Sequence, residues 1–405
     1  HSPALENPMH INRWTILGVL SLARIAFGFQ FQSIASVSPS LVDDLGIGYG
    51  QLGTLIGLYM LPGVLMAIPS GILSKRFGDK RMAGYGLLLM VIGGIVLGLS
   101  ESYSVAFIGR LVSGIGAVSF NVVLTKMVTE WFIDREIRTA LGVMLSMWPF
   151  GIALALVTQS ALSSAYSWEW AIFLTSAVCL VSLALVVSIY RPPEASKNII
   201  YENPRSFAIP FREFVPVSVA GITWALFNVG LVCFFSFGSG LLIDQGLSDI
   251  KASSLISIGL WVTLASIPLG GYISQKTGRP KAIIILSSAL AALSLALLPF
   301  FPYPLILSIL LGLGIASAGA IVALPSQALS SENRGPGLGV FYTWYYIGMA
   351  IGPVLAGLGR EFTDSSATPV LAGSGMFLAV IPFIVMFYLL QAKLEATRHQ
   401  RVKGQ

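Results

Sequence analysis

The sequence predicts an all-α membrane protein of twelve transmembrane helices arranged as two pseudo-symmetric six-helix bundles. Three observations predict it. Hydrophobic residues make up 55% of the 405-residue chain and charged residues only 10%, with a mean hydropathy of +0.81; a soluble domain carries roughly 25% charged residues. The charges are gathered between long apolar runs. The second half of the chain also repeats the first at a nearly constant offset.

The charge-free stretches are 25–42, 45–74, 82–100, 111–125, 139–168, 170–190, 214–243, 252–275, 282–331, 335–359 and 365–392. A helix that crosses a bilayer needs about 20 apolar residues. The first run extends back through Arg24 to Trp14, and 111–125 extends back through Arg110 to about Ser104. The stretch 282–331 is too long for one helix, and Pro302 and Pro304 break it in two. Twelve spans result. The connection 191–213 is the longest and most polar, with Pro192, Pro193, Pro204 and Pro210. It reads as a linker with a short surface helix, separating one bundle at 14–190 from another at 214–392. Residues 1–8 are polar and precede Met9, which reads as the native start. No cleavable signal is expected, because the first apolar run is long and many more follow.

Alternating the spans from an inner N-terminus puts twenty Lys and Arg residues in the inner connections and only Lys251 and Arg360 in the outer ones. This bias predicts that both termini are cytoplasmic, and a bacterial inner membrane is the expected location. The same clustering argues against nucleic acid as the partner of the net charge of +6. Cys179 and Cys233 lie mid-run without metal-ligand spacing and read as packing residues.

The repeat is explicit. GILSKRFGDKR at 71–81 aligns with GYISQKTGRPK at 271–281, so that Gly71, Ser74 and Gly78 recur as Gly271, Ser274 and Gly278. GVMLSMWPFG at 142–151 aligns with GVFYTWYYIG at 339–348, and SGIG at 113–116 echoes LGLG at 311–314. Two equivalent bundles place any binding site at their interface near the midplane.

Only two charges fall inside the apolar runs, and both are arginines, Arg24 and Arg110. The acids lie at or beyond the run ends, and the histidines (His1, His10, His399) lie in the tails. A charge at membrane depth is costly and usually functional. Two buried cations suggest that something negative or strongly polar crosses there. The usual carboxylate or histidine proton relay has no side chains to run on.

These residues resemble the major facilitator superfamily over essentially the whole chain. The basic loop between spans 2 and 3 is similar to the family's glycine-rich pattern, here Gly71, Leu73, Lys75, Arg76, Gly78, Lys80 and Arg81. The fourth-helix pattern appears as Arg110, Gly114 and Gly116. Gly348, Gly352, Pro353 and Gly357 look like the family's antiporter-type Gly-Pro motif on helix 11; helix 5 has only Gly142, Pro149 and Gly151. The resemblance implies the major facilitator fold, alternating access, and gating or structural roles for Gly71, Arg76, Gly78, Asp79, Arg81, Arg110, Gly114, Gly348, Gly352 and Pro353. One departure is clear: the loop Asp of the family is Lys75 here, and Asp79 is the acid that could substitute for it. KMVTEWFIDREIR, from Lys126 to Arg138, loosely resembles the loop of anion-type members, including cyanate/nitroimidazole-like and nitrate-type groups.

Arg24 lies roughly 15 Å into the first helix, near the middle of the core, and guanidinium suits a carboxylate or other anion. Arg110, Gly114, Ala117 and Asn121 share a helix face, and there bracing is favoured over substrate contact. The remaining candidates are aromatic or polar residues on helices that line the cavity in the family: Phe31, Gln32, Trp148, Trp224, Asn228, Trp261, Tyr342, Tyr345 and Tyr346. Gln30 points away from the Arg24 face. The expected function is transport of a small anionic solute, such as a carboxylate, as a uniporter or exchanger. The alternative is an exporter of amphipathic compounds or drugs. A nitrate-type mechanism is disfavoured, because arginines on helices 2 and 8 are absent. There is no nucleophile–base pair, metal cluster or phosphate loop, so neither enzyme chemistry nor a cofactor or metal is expected. The expected partners are a small-molecule substrate and the bilayer, with a monomeric chain.

Overall fold

Long apolar runs dictate helices, since backbone polar groups in lipid must pair within their own segment. The computed structural model describes residues 12–132, 137–193, 209–330 and 333–403. Span 1 is built from α1 (Arg13–Phe31), α2 (Ser33–Ser36) and α3 (Ser38–Leu45), and span 2 from α4 (Tyr49–Gly57) and α5 (Gly63–Phe77). Spans 3 to 6 are α6 (Asp79–Gly98), α7 (Tyr103–Phe132), α8 (Ile137–Ala165) and α9 (Trp168–Ile189). Spans 7 to 9 are α10 (Phe211–Asp244), α11 (Asp249–Thr277) and α12 (Pro280–Leu297). Span 10 joins α13 (Pro304–Gly314), α14 (Ala318–Val322) and α15 (Leu324–Ala328), and spans 11 and 12 are α16 (Arg334–Thr363) and α17 (Ala367–Lys403).

Among the described residues eleven spans contain a helical stretch long and apolar enough to cross a bilayer. The twelfth, span 2, differs from the single helix expected over 45–74. It breaks at 58–62, where Pro62 supplies no N–H and disfavours helix at Leu61. Residues 1–11 and 194–208 lie outside the described residues, so the polar start, Met9 and most of the expected linker are not placed.

The repeat is visible in the backbone. Gly78 and its counterpart Gly278 both take positive φ, +86° and +63°, at the tight turns into α6 and α12. A side chain is strained in that region, which is why both halves keep glycine there. We call the face carrying the ends of spans 1 and 12 the terminal face and the opposite one the far face.

The two bundles meet at the far-face halves of spans 2 and 11. A Cβ on Gly53 would collide with the Pro353 carbonyl, and one on Gly57 with the Ala350 carbonyl. Bare backbone at these two positions lets the helices touch, the usual route to tight packing in lipid.

Candidate functional site

Arg24 sits on α1 and is half-buried. Its Nη1 donates to Asn121 Oδ1 on α7. Asn121 Nδ2 in turn donates to Tyr346 Oη on α16, 3.3 Å away, so the chain of contacts crosses from one bundle to the other. The Phe27 ring centroid lies 5.1 Å from the guanidinium carbon, and Tyr345, Tyr346, Tyr342 and Tyr59 are its electrostatic neighbours. Arg24 Nε is buried and has no hydrogen-bond partner. Among the described residues no carboxylate pairs with this cation; neutral dipoles and ring faces surround it.

The second bundle supplies an aromatic wall. Tyr342, Tyr345 and Tyr346 fall on one face of α16 because they are three and four residues apart. Trp224 on α10 stacks on Tyr345 (6.1 Å, 25°), Phe341 (6.5 Å, 15°) and Phe227 (5.7 Å, 14°). Tyr345 meets Tyr346 edge-on at 5.2 Å and Tyr342 at 6.2 Å. Tyr342 is 37% exposed, whereas Tyr346 is buried. Arg24, Asn121, Trp224 and the three tyrosines are therefore brought together across the bundle interface. The arrangement can hold an anion on the guanidinium fork and a flat apolar body against the rings.

Other candidates lie elsewhere. Phe31, Trp148 and Phe235 form a three-ring cluster on the far-face side, with centroids 5.8–6.1 Å apart. Gln32 Nε2 donates to Phe235 O at 2.9 Å, linking span 1 to span 7. Trp261 meets Phe150 edge-on at 5.2 Å between spans 8 and 5. These residues pack between the two bundles, apart from the Arg24 group. Asn228 is buried and donates to Trp224 O on its own helix, 2.8 Å away, so its amide braces α10. Gln30 bonds to Met90 O and Tyr59 within its own bundle.

Arg110 is fully buried, and its partners are backbone carbonyls and, at 3.4 Å, Ser33 Oγ. Nε donates to Leu55 O (2.9 Å), Nη1 to Gln30 O (2.8 Å) and Nη2 to Phe31 O (2.6 Å). These acceptors flank the joint at Gln32 in span 1 and the break in span 2. A helix break leaves carbonyls unpaired, and one guanidinium pairs those at both breaks. The Tyr59 ring lies 4.4 Å below it. Gly114, one turn along, lets α7 abut the carbonyls of Leu58 and Tyr59.

Of the gating candidates, Asp79 pairs with Lys126 at 2.9 Å, and Lys126 reaches Glu130 at 3.7 Å. That network lies within the first bundle, so Asp79 does not reach across to the second. Arg76 and Arg81 are exposed. The surroundings of Gly71 and the side chain of Lys75 lie outside what the structure describes, as do residues 133–136 of the loop after span 4. Gly348 and Gly352 pack against Ala225 and Val229 of α10, while the Pro353 carbonyl meets Gly53.

Sequence reasoning missed the far-face contacts of α16. Glu361 accepts a hydrogen bond from Gly50 N–H, 2.9 Å away, at the start of α4. Arg360 lies 3.7 Å above the Tyr49 ring and 3.1 Å from Asp244. Ser160 Oγ and Ser253 Oγ are 2.8 Å apart, joining spans 5 and 8. The signal for Glu361 was only its place at a span end, where carboxylates are common. Among the described residues no group of three or more His, Cys, Asp or Glu side chains could hold a metal.

Comparison with known proteins gives a consistent picture. A family model described as Major Facilitator Superfamily matches residues 20–353 and 241–404. The chain is 23% identical over 436 residues to the lysosomal dipeptide transporter MFSD1 of Danio rerio, covering 100% of this chain and 94% of that protein. It is 23% identical over 404 residues to a hexuronate transporter of Bacillus subtilis (strain 168), covering 90% and 93%. Its fold matches that of the nucleoside transporter NupG (D323A mutant) with a TM-score of 0.73 at 14% identity, over 94% of this chain and 99% of that one.

Proposed function

Because this chain belongs to the Major Facilitator Superfamily, we propose that it moves a small anionic solute, with carboxylates the leading class, across a bacterial inner membrane by alternating access. It is an integral membrane protein and a transporter, not an enzyme. In this reading it works as a uniporter or an exchanger and acts as a monomer. The single observation that carries the anion assignment is Arg24, a half-buried cation at membrane depth with a free Nε and no carboxylate partner among the described residues. A guanidinium left in that setting is costly unless an anion answers it. The dipeptides and hexuronates named for two relatives both bear a carboxylate, the group a guanidinium would bind, although a dipeptide also carries an ammonium.

The positive-inside bias supports reading the terminal face as cytoplasmic. On that reading the far-face seal through Gly53, Gly57, Gln32 and Glu361 is the outer gate. Opening outward requires these contacts to part.

A second reading, export of amphipathic compounds, is favoured by the stacked wall of Trp224, Phe227, Phe341 and Tyr345. Thermal stabilisation of the purified protein separates the two. The panel holds small carboxylates, inorganic anions, neutral solutes and lipophilic cations, with Arg24→Ala alongside. A ligand at about 100 times its Kd stabilises by roughly 2.7 kcal/mol. Stabilisation by one anion class, abolished in Arg24→Ala, supports the anion reading. Stabilisation only by amphipathic or cationic compounds, indifferent to Arg24, transfers the assignment to the exporter.

A further inference from the structure

The two bundles differ most in charge where the repeat makes them equivalent. At the terminal-face end of α6, Asp79 is neutralised by Lys126. The offset of 200 places Arg279 at the position of Asp79 and Lys281 at that of Arg81, and the offset of 198 between spans 4 and 10 places neutral Leu324 at that of Lys126. The acid has become a base, and the basic partner has become an apolar side chain. Among the described residues neither Arg279 nor Lys281 pairs with a carboxylate. The first bundle pairs Asp79 with Lys126 here, whereas the second presents Arg279 and Lys281 with no acid partner among the described residues.

A cavity of about 430 Å³ lies at this place, lined by Arg279, Lys281, Ile285, Gln327 and Tyr388 among others. It is bounded by the turn into α12 and by spans 10 and 12. The Lys281 ammonium stands 5.9 Å from the Tyr388 ring centroid, and the rest of the lining is mainly apolar. Arg279, at the N-cap of the 18-residue α12, gives no side-chain cap, so the first-turn N–H groups add to the positive field. Outward from the cavity, Leu286 is 70% exposed and Leu389 is 64% exposed. A cationic rim at a membrane boundary, an apolar floor and uncovered leucines beyond it match an anionic head carried on acyl chains.

We propose that this cavity binds the headgroup of an anionic phospholipid from the leaflet at the terminal face. Arg279 and Lys281 would meet the phosphate, Gln327 and Tyr388 would offer hydrogen bonds to the polar head, and the chains would run along Ile285 and Leu286. Basic pockets between spans bind such lipids by the same electrostatics.

The test is native mass spectrometry of the full chain in detergent. The chain is titrated with phosphatidylglycerol, with phosphatidylcholine of the same chains, and with phosphatidylglycerol in the presence of millimolar inorganic phosphate. Two cations in a surface pocket predict a preference of about tenfold or more for phosphatidylglycerol over phosphatidylcholine. The preference should vanish in Arg279→Gln/Lys281→Gln and persist in Arg191→Gln/Arg212→Gln, which removes the same charge elsewhere. Equal binding of the two lipids by the unmodified chain overturns the proposal without any variant. So does an undiminished preference in Arg279→Gln/Lys281→Gln. Displacement of phosphatidylglycerol by inorganic phosphate overturns it in favour of a soluble-anion site.

Discussion

Arg24 and Arg110 are the same residue type and both lie inside apolar runs, yet their surroundings differ in kind. Arg110 is enclosed, and its guanidinium is occupied by carbonyls at two helix breaks. Arg24 is half-buried, holds one side-chain amide and keeps an unpartnered Nε. The contrast teaches that charge at membrane depth alone does not identify a binding residue. What discriminates is whether the donors are already used. A saturated guanidinium is part of the scaffold, and an unsaturated one is available to a solute.

The largest expected effect breaks the comparison if it fails. Arg110→Ala takes the guanidinium donor from three buried carbonyls, of which Gln30 O still accepts from Ser33 Oγ, and should destabilise the protein by about 3 kcal/mol or more. Arg24→Ala should change stability by less than about 1 kcal/mol, because it removes a cation that the folded protein does not neutralise. Melting temperatures of the two purified variants decide this, and equal losses would erase the distinction. Next in size is Arg24→Lys, which keeps the charge and loses the fork. Affinity for a carboxylate should fall about tenfold at unchanged stability, since bidentate recognition needs the planar guanidinium. Isothermal titration or ligand-induced stabilisation measures it, and full retention would mean that charge alone holds the solute. Transport of a permanently charged anion should vary little with pH near neutrality, because the described residues around Arg24 include no carboxylate or histidine to relay protons. A steep pH dependence of uptake into liposomes would mean that a proton-coupled group lies elsewhere.

The readability of the sequence divides along the same line. Composition, charge spacing and the repeat were enough for twelve spans in two bundles, because the cost of exposing backbone to lipid leaves few alternatives. Arg24 was legible because a cation in an apolar run is conspicuous. Its neighbours Tyr342, Tyr345 and Tyr346 were legible because helix periodicity puts them on one face. The break of span 2 was not, although Pro62 was visible, because nothing in an apolar run reveals that a guanidinium from another helix will pair the freed carbonyls. Gln32, Trp148 and Trp261 have the same chemistry as binding residues and pack between the two bundles. Periodicity gives the face of a helix, but it does not say which other helix meets that face at a given height. Glu361 was equally silent, since its role depends on Gly50 more than three hundred positions away.

The last two predictions sharpen what surrounds Arg24. Asn121→Ala removes the side chain that accepts from the guanidinium and should cost about 1 kcal/mol of anion affinity, by letting the cation swing. Tyr346→Phe should cost less, about 0.5 kcal/mol, because its 3.3 Å bond to Asn121 is long and neutral. That bond joins span 4 to span 11, so its loss should appear mainly in the balance between the two access states. Spin labels placed on the far-face ends of spans 2 and 11 report that balance as a distance distribution. A few-fold shift toward separation with little change in affinity is the expected result. If Tyr346→Phe weakens anion binding more than Asn121→Ala does, the anion is held chiefly from the second bundle. Arg24 would then share its role with the tyrosine face rather than lead it.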